Sequence, residues 1–287
     1  MSLPARHIRF SLVVATLGRS DEPTRLLASL SDQTCRDFEV IVVDQNGDDR
    51  LVAPIEKYRD ELEIIHVRTP LKGVCRARNL GASQARGEWL LFPDDDCWYP
   101  ADLLERYRQA TEREPGDFYC GRATNEAGRT IMGAFETKPV RIRRNNVWTT
   151  LVEWMLLVRR AAFEIAGGFD ETIGPGSGTR WGAYEVQDLA LTLVARGSSG
   201  HYDPALVGHH PEDTADQTTP AKIAKMRIYS TGLGYVMRKH GFGFAAFLPR
   251  LLRPTAGIGF YALTGQLGMA RRSQQILLGR WDGWRST

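Results

Sequence analysis

Cysteine is scarce and unpatterned in this chain. Cys35, Cys75, Cys97 and Cys120 are the only four among 287 residues, and no two have CxxC spacing. That excludes a zinc-ribbon reading and a disulfide framework, and points to a reducing compartment, the cytosol. A P-loop and a GxGxxG fingerprint are both missing, so a glycine cradle for phosphate is unsupported. There is no internal repeat and no low-complexity tract. Long apolar runs are missing too. The 17 uncharged residues between Arg253 and Arg271 include four glycines and Pro254, which is short and glycine-rich for a spanning helix. The start of the chain, with Arg6 and Arg9, has only a short apolar run before Gly18, expected to be a first strand and not a signal peptide.

With 43% hydrophobic and 25% charged residues, the chain can bury a full α/β core. Its net charge of +3 conceals an asymmetry: from Arg227 to Thr287 nine Lys/Arg face one acid, Asp282. That segment carries +8 and leaves about −5 for the rest.

The first hundred residues alternate apolar runs with amphipathic stretches. Phe10–Thr16 reads as a buried strand, followed by a turn and a helix capped near Ser20 or Asp21, with Leu26, Leu27 and Leu30 on one face. Phe38–Asp44 is a second strand, ending on a carboxylate. A helix over roughly 51–62, a strand over 63–67, a helix over 74–86 and a strand ending at Asp94 complete the pattern. Such alternation implies βαβ units and an α/β fold with a mostly parallel open sheet. Trp89–Phe92 would then deliver Asp94, Asp95 and Asp96 to the carboxyl edge that also receives Asp44, where open α/β sheets bind ligands. Three adjacent carboxylates repel one another unless solvated or neutralised, and hard oxygens suit Mg²⁺ or Mn²⁺ holding a phosphate. A solvated acidic turn is the plain alternative. Lys72, Arg76 and Arg78 lie just upstream, either near a diphosphate or as an ordinary basic helix start. Met155–Arg160 reads as a buried strand without chemistry.

Several short motifs, in order, resemble the family 2 glycosyltransferases with the GT-A fold. They are Val14-Ala15-Thr16-Leu17-Gly18-Arg19, Glu39–Asp44, Ala77-Arg78-Asn79-Leu80-Gly81, Ala85–Phe92, the acidic triplet and Gly167-Gly168-Phe169-Asp170-Glu171, together spanning about residues 8–210. The resemblance implies an inverting enzyme of bacterial cell-envelope polysaccharide synthesis, using a nucleotide-diphosphate sugar, Mn²⁺ or Mg²⁺, and a glycan or lipid-linked acceptor. It makes the triplet a DXD element: Asp96 on the metal, Asp94 near the ribose and Asp95 near the diphosphate. Asp44 would read the base, with Thr16 and Arg78 also on the donor. His209 or His210 would complete the metal shell or approach the diphosphate. Where the family has Glu-Asp-x-Asp-Leu, this chain has Glu185-Val186-Gln187-Asp188-Leu189. That departure leaves Glu185 as the expected base and Asp188 as the runner-up. Trp181 and Tyr184 flank it as candidates for stacking on an acceptor sugar.

The expected division is a catalytic domain over 1–225, with a nucleotide-sugar half at about 1–120 and an acceptor half at about 121–225, then a helical segment over 226–287. The basic, apolar tail fits either an anionic membrane surface, making a cytoplasmic protein peripheral at the inner face, or packing on the domain. No nucleic-acid motif accompanies the charge. Two other functions stay open: a sugar-nucleotide nucleotidyltransferase, against which the missing glycine-rich loop near residue 16 counts, and a non-catalytic sugar-nucleotide-binding relative.

Overall fold

The computed structural model describes residues 7–286; Arg6 and Thr287 lie outside the described residues. By internal packing the chain forms two compact units. One runs up to Phe169 and adds Leu189–Glu212; the other comprises Asp170–Asp188 and everything from Asp213 onward.

The first unit is built on one eight-stranded sheet: β1 Phe10–Thr16, β2 Phe38–Asp44, β3 Ile64–Arg68, β4 Trp89–Leu91, β5 Phe118–Thr124, β6 Val140–Ile142, β7 Leu157–Arg159 and β8 Gly200–His209. Their order is β3-β2-β1-β4-β7-β5-β8-β6. β1 and β2 are buried almost throughout, which is why they read as continuous Val, Leu and Ile runs: parallel strands under helices on both faces have no solvent side. Helices α1 Asp21–Ser31, α2 Val52–Glu56, α3 Val74–Ala82, α4 Leu103–Arg113, α5 Val147–Thr150 and α6 Arg160–Ala166 connect the strands.

The four strands β3-β2-β1-β4 are parallel, with Thr16 in register with Asp44. Beyond them the sheet is mixed, because the three-residue β7 enters antiparallel to both β4 and β5. α2 and α3 stop earlier than their patterns suggest. After α3 the chain must turn to lay Gly87 against β1, where its N–H donates to Ser11 Oγ at 2.9 Å. The same turn brings Arg86 onto Glu39, a fully buried carboxylate in β2 that also accepts from Ser11 Oγ at 2.6 Å and the Arg86 N–H at 2.7 Å. All four cysteines are buried thiols.

In the second unit, α8 Pro220–Lys239, α9 Phe244–Leu263 and α10 Leu267–Trp284 follow one another. The uncharged stretch between Arg253 and Arg271 is broken at Thr264–Gln266, so it forms the end of one helix and the start of the next. Among the described residues no helix is long and apolar enough to cross a membrane. The glycine content has a packing cause. A Cβ on Gly234 would collide with the Arg280 carbonyl, and one on Gly283 with that of Thr231, so α8 and α10 approach as closely as backbone allows. Helix α7, Glu185–Ala195, belongs to the second unit as far as Asp188 and to the first from Leu189.

Candidate active site

β1 and β4 run side by side, and Asp94 forms a bridge with Ala15 just past β4. The acidic triplet therefore leaves the sheet at the edge where β1 and β2 end. The turn after the triplet pairs back onto β8, Trp98 and His209 exchanging backbone hydrogen bonds of 3.0 and 2.8 Å. This pairing fixes the two histidines differently. His209 Nδ1 lies 3.0 Å from the Asn125 carbonyl and 2.9 Å from Thr124 Oγ1, and burial lowers its pKa. His210 Nε2 lies 3.1 Å from Asp96 Oδ1. Of the two candidate ligands, His210 is the one that meets the triplet.

The carboxylates of the triplet have distinct partners. Arg78 Nη2 donates to Asp94 Oδ1 at 2.6 Å, from a side chain only 2% exposed that sits over the Phe169 ring. Burial pushes Asp94 up to about 6 against the pull of Arg78, with Glu153 and its own neighbours adding to the rise, although 31% of the side chain is open to solvent, which moderates the shift. Arg19 spans Asp95 and Asp96, its Nη1 lying 2.7 Å from Asp96 Oδ2. Burial raises Asp95 despite Arg19 and the neighbouring Thr16 hydroxyl. Burial also acts on Asp96, but the His210 and Arg19 contacts outweigh it and the net shift is downward.

Asp44 is fully buried. It accepts from the Asn46 N–H at 2.8 Å and from Asn46 Nδ2 at 2.9 Å, and His66 Nε2 lies 3.0 Å away. Asn46 Oδ1 in turn accepts from the Gly18 N–H at 2.7 Å, so Asp44 ties the loop after β2 to the loop after β1. Lys72 donates to the Gln45 carbonyl and Arg76 to the Lys72 carbonyl at 3.2 Å, so both serve the same loop region.

In the second unit, Glu185 opens α7 and is 4% exposed. Tyr184, immediately before it, has φ of 79°, a left-handed conformation rare for a bulky side chain; such strain is held only where surrounding contacts enforce it. Trp181 stacks on Tyr235 of α8 with ring centroids 3.7 Å apart, so one face of its indole is covered. Asp188 Oδ1 lies 2.8 Å from Lys239 Nζ and 2.8 Å from His240 Nε2. Val186, the departure from the family motif, is fully buried. An acid there would need a buried partner of its own.

Arg19, Lys239, His240 and Tyr235 escaped the sequence reading. Arg19 carried a usable signal, since it follows β1 in a glycine turn at the same edge as the triplet. The other three lie about 50 residues along the chain from what they touch.

The donor set near Asp96 suits a divalent cation. His210 Nδ1 lies 2.7 Å from the Pro211 carbonyl and donates to it, so in the neutral ring the Nε2 lone pair faces the Asp96 carboxylate. Two lone pairs at 3.1 Å demand a positive charge between them, a proton or a metal. Among the described residues no group of three His, Cys, Asp or Glu side chains converges as a metal cage. Two protein ligands completed by substrate phosphate oxygens and water are what Mg²⁺ commonly takes.

The fold of the chain matches solved structures over nearly its whole length. A mannosyltransferase from Pyrobaculum calidifontis, solved with GDP-Man and Mn²⁺, superposes with a TM-score of 0.65 at 15% identity, over 97% of this chain and 89% of that one. The profile of glycosyl transferase family 2 matches residues 11–163, more than half of the chain, and the chain belongs to that family. An uncharacterized glycosyltransferase of Haemophilus influenzae is 36% identical over 105 residues, 37% of this chain and 35% of that protein. A PGL/p-HBAD biosynthesis glycosyltransferase of Mycobacterium bovis is 32% identical over 170 residues, 56% of this chain and 63% of that protein. The chain thus spans between about a third and two thirds of the length of these relatives.

Proposed function

We propose that this chain transfers a sugar, with inversion, from a nucleotide-diphosphate donor to a glycan or lipid-linked acceptor of the cell envelope, using Mn²⁺ or Mg²⁺. The observation that carries the reading is Asp96, set between Arg19 and His210 at the edge where β1, β2 and β4 all end. The GDP-Man and Mn²⁺ held by the Pyrobaculum neighbour support the same donor class and a divalent ion. Within this reading the nucleotide-sugar half is about 1–120 and the acceptor half about 121–225.

Asp96 and His210 would hold the cation, which when bound stabilises charge on the departing diphosphate. Arg19 adds a second positive group beside the diphosphate, and Asp95 holds that guanidinium in place. Arg78 orients Asp94 toward the ribose. Asp44, with Thr16 nearby, shapes the base pocket through Asn46 and His66. The acceptor oxygen attacks the anomeric carbon as its proton passes to Glu185. The bond to the diphosphate breaks with its electron pair left on the phosphate oxygen. Asp188 is the lesser candidate for base because Lys239 and His240 already occupy its carboxylate. A single displacement gives inversion without a covalent intermediate. The basic helices of the second unit, with Phe244, Leu252 and Phe260 exposed on α9, support association with an anionic membrane surface.

The test is a panel of nucleotide sugars with candidate acceptors, read as free nucleoside diphosphate. Release that requires an acceptor supports transfer. Pyrophosphate-dependent nucleoside triphosphate formation would favour the nucleotidyltransferase, and binding without turnover the non-catalytic relative.

A further inference from the structure

We propose that a cavity between α8 and α10 receives the phosphate of an amphiphilic acceptor whose separate hydroxyl takes the sugar and whose hydrocarbon runs along α9. This rests on the transferase reading above and narrows its acceptor to one chemical class.

The cavity has a volume of about 630 Å³ and is walled by Ile223, Arg227 and Ile228 of α8 and by Leu267, Arg271 and Gln275 of α10, a size typical of small-molecule sites. Its lining contains no Asp or Glu. Arg227 is fixed in position, Nη1 donating to Gln275 Oε1 at 3.1 Å and Nη2 to Asp282 Oδ2 at 2.5 Å. Arg271 is exposed and brings the charge that Asp282 does not offset. With Arg227 paired to Asp282, Arg271 leaves the walls one net positive charge, and an anion such as phosphate suits it.

The other half of the lining is apolar and left in water. Leu267 is 70% exposed and Ile228 is 45% exposed. Leu267 opens α10 just after the turn that ends α9, and α9 itself exposes Leu248, Leu252, Phe260 and Leu263. At about 100° per residue Leu252, Phe260 and Leu263 fall within about 80° of one another on one face, with Leu248 at its margin, while the Phe244 ring packs on Trp281 and Trp284 of α10. α9 has no acidic residue, and its two charges are Arg250 and Arg253. A phosphate pocket opening onto an apolar stripe fits neither a free sugar nor a nucleotide. It fits a molecule with a charged head and a hydrocarbon body.

The cavity also touches the loop that carries the proposed base. The Gly182 N–H donates to the Ile228 carbonyl at 3.4 Å, and a Cβ at Gly182 would run into the Ile228 side chain. An occupant resting on Ile228 therefore lies against a segment three residues before Glu185.

The experiment is calorimetry on the full chain with decyl phosphate below its micelle concentration, beside inorganic phosphate and decanol. Decyl phosphate should bind, and inorganic phosphate and decanol should each bind at least about tenfold more weakly. Arg271→Gln should weaken decyl phosphate roughly tenfold, the effect of losing one charge-assisted contact. Arg143→Gln, which alters an exposed charge in the first unit, should leave it unchanged. Equal affinity in wild type and Arg271→Gln, or inorganic phosphate binding as tightly as decyl phosphate, would overturn the proposal. Nucleotide with Mn²⁺ is titrated into the same samples. Decyl phosphate failing while nucleotide binds contradicts the cavity alone, whereas nucleotide failing contradicts the transferase reading beneath it.

Discussion

Arg19 Nη1 lies 2.7 Å from Asp96 Oδ2 while the same group hydrogen bonds Asp95, so one guanidinium serves two of the three acids that follow β4. A divalent cation binding Asp96 must compete with that charge. Arg19→Gln should raise affinity for Mn²⁺ alone by a few-fold, on the order of a partly exposed ion pair. It should lower affinity for nucleotide diphosphate at saturating Mn²⁺, because a positive group near the diphosphate is gone. Calorimetry with each ligand checks the two signs. A parallel loss of both would make Arg19 merely structural.

Asp44 links loops and, in the proposed site, shapes the base pocket. Asp44→Ala leaves the donors of the half-buried Asn46 and His66 without their acceptor, which should cost about 1 kcal/mol of stability. Urea unfolding gives that cost, and nucleotide titration gives the second readout. Binding should weaken with its Mn²⁺ dependence retained; unchanged binding would return Asp44 to the fold alone.

The cluster of Asp170, Asp188, Lys239 and His240 makes stability depend on pH in a defined direction. Burial would raise Asp170, but Lys239 and Thr172 outweigh it and the pKa falls below the usual 3.8. Its contribution is present above that value and lost as pH falls through the lower folded pKa. Burial would lower Lys239, but Asp188 and Asp170 outweigh it and the pKa rises above 10.5. Its contribution is present below 10.5 and lost as pH rises through the folded pKa. Lys239→Met should cost about 3 kcal/mol near neutrality by leaving Asp188 with one partner fewer. The deficit should shrink at both pH extremes. Urea unfolding across pH gives the comparison, and a deficit constant with pH would count against the assignment.

The sheet was legible because β1 and β2 have no solvent face, and Asp44 and the triplet stood out as charges ending apolar runs. The antiparallel β7 was not legible as such: three buried residues look the same in either direction. That His210 and not His209 meets Asp96 follows from how Trp98 pairs with β8, and a register shift in β8 opposite Cys120 and Arg122 breaks any count along the strand. Asp188 meets Lys239 and His240, 51 and 52 residues away, and Trp181 stacks on Tyr235. Partners so distant leave no periodic trace in a sequence.

For the chemical step, Glu185→Gln keeps the side chain's shape but removes its basicity. Its kcat should fall by roughly 10²–10⁴-fold with donor affinity nearly unchanged. Asp188→Asn, which weakens contacts to Lys239 and His240, should lose stability more than turnover. Normal turnover in Glu185→Gln beside a dead but folded Asp188→Asn would reverse the two roles. Retained anomeric configuration in the product would rule out the single displacement.

The most direct measurement is calorimetric titration of UDP and GDP into wild type and Asp96→Ala, with Mn²⁺ and with chelator. At least one nucleotide should bind wild type with Mn²⁺ and much more weakly with chelator. Asp96→Ala should keep its thermal unfolding profile and lose the Mn²⁺ dependence. Tight binding in Asp96→Ala that still responds to Mn²⁺ would contradict the account.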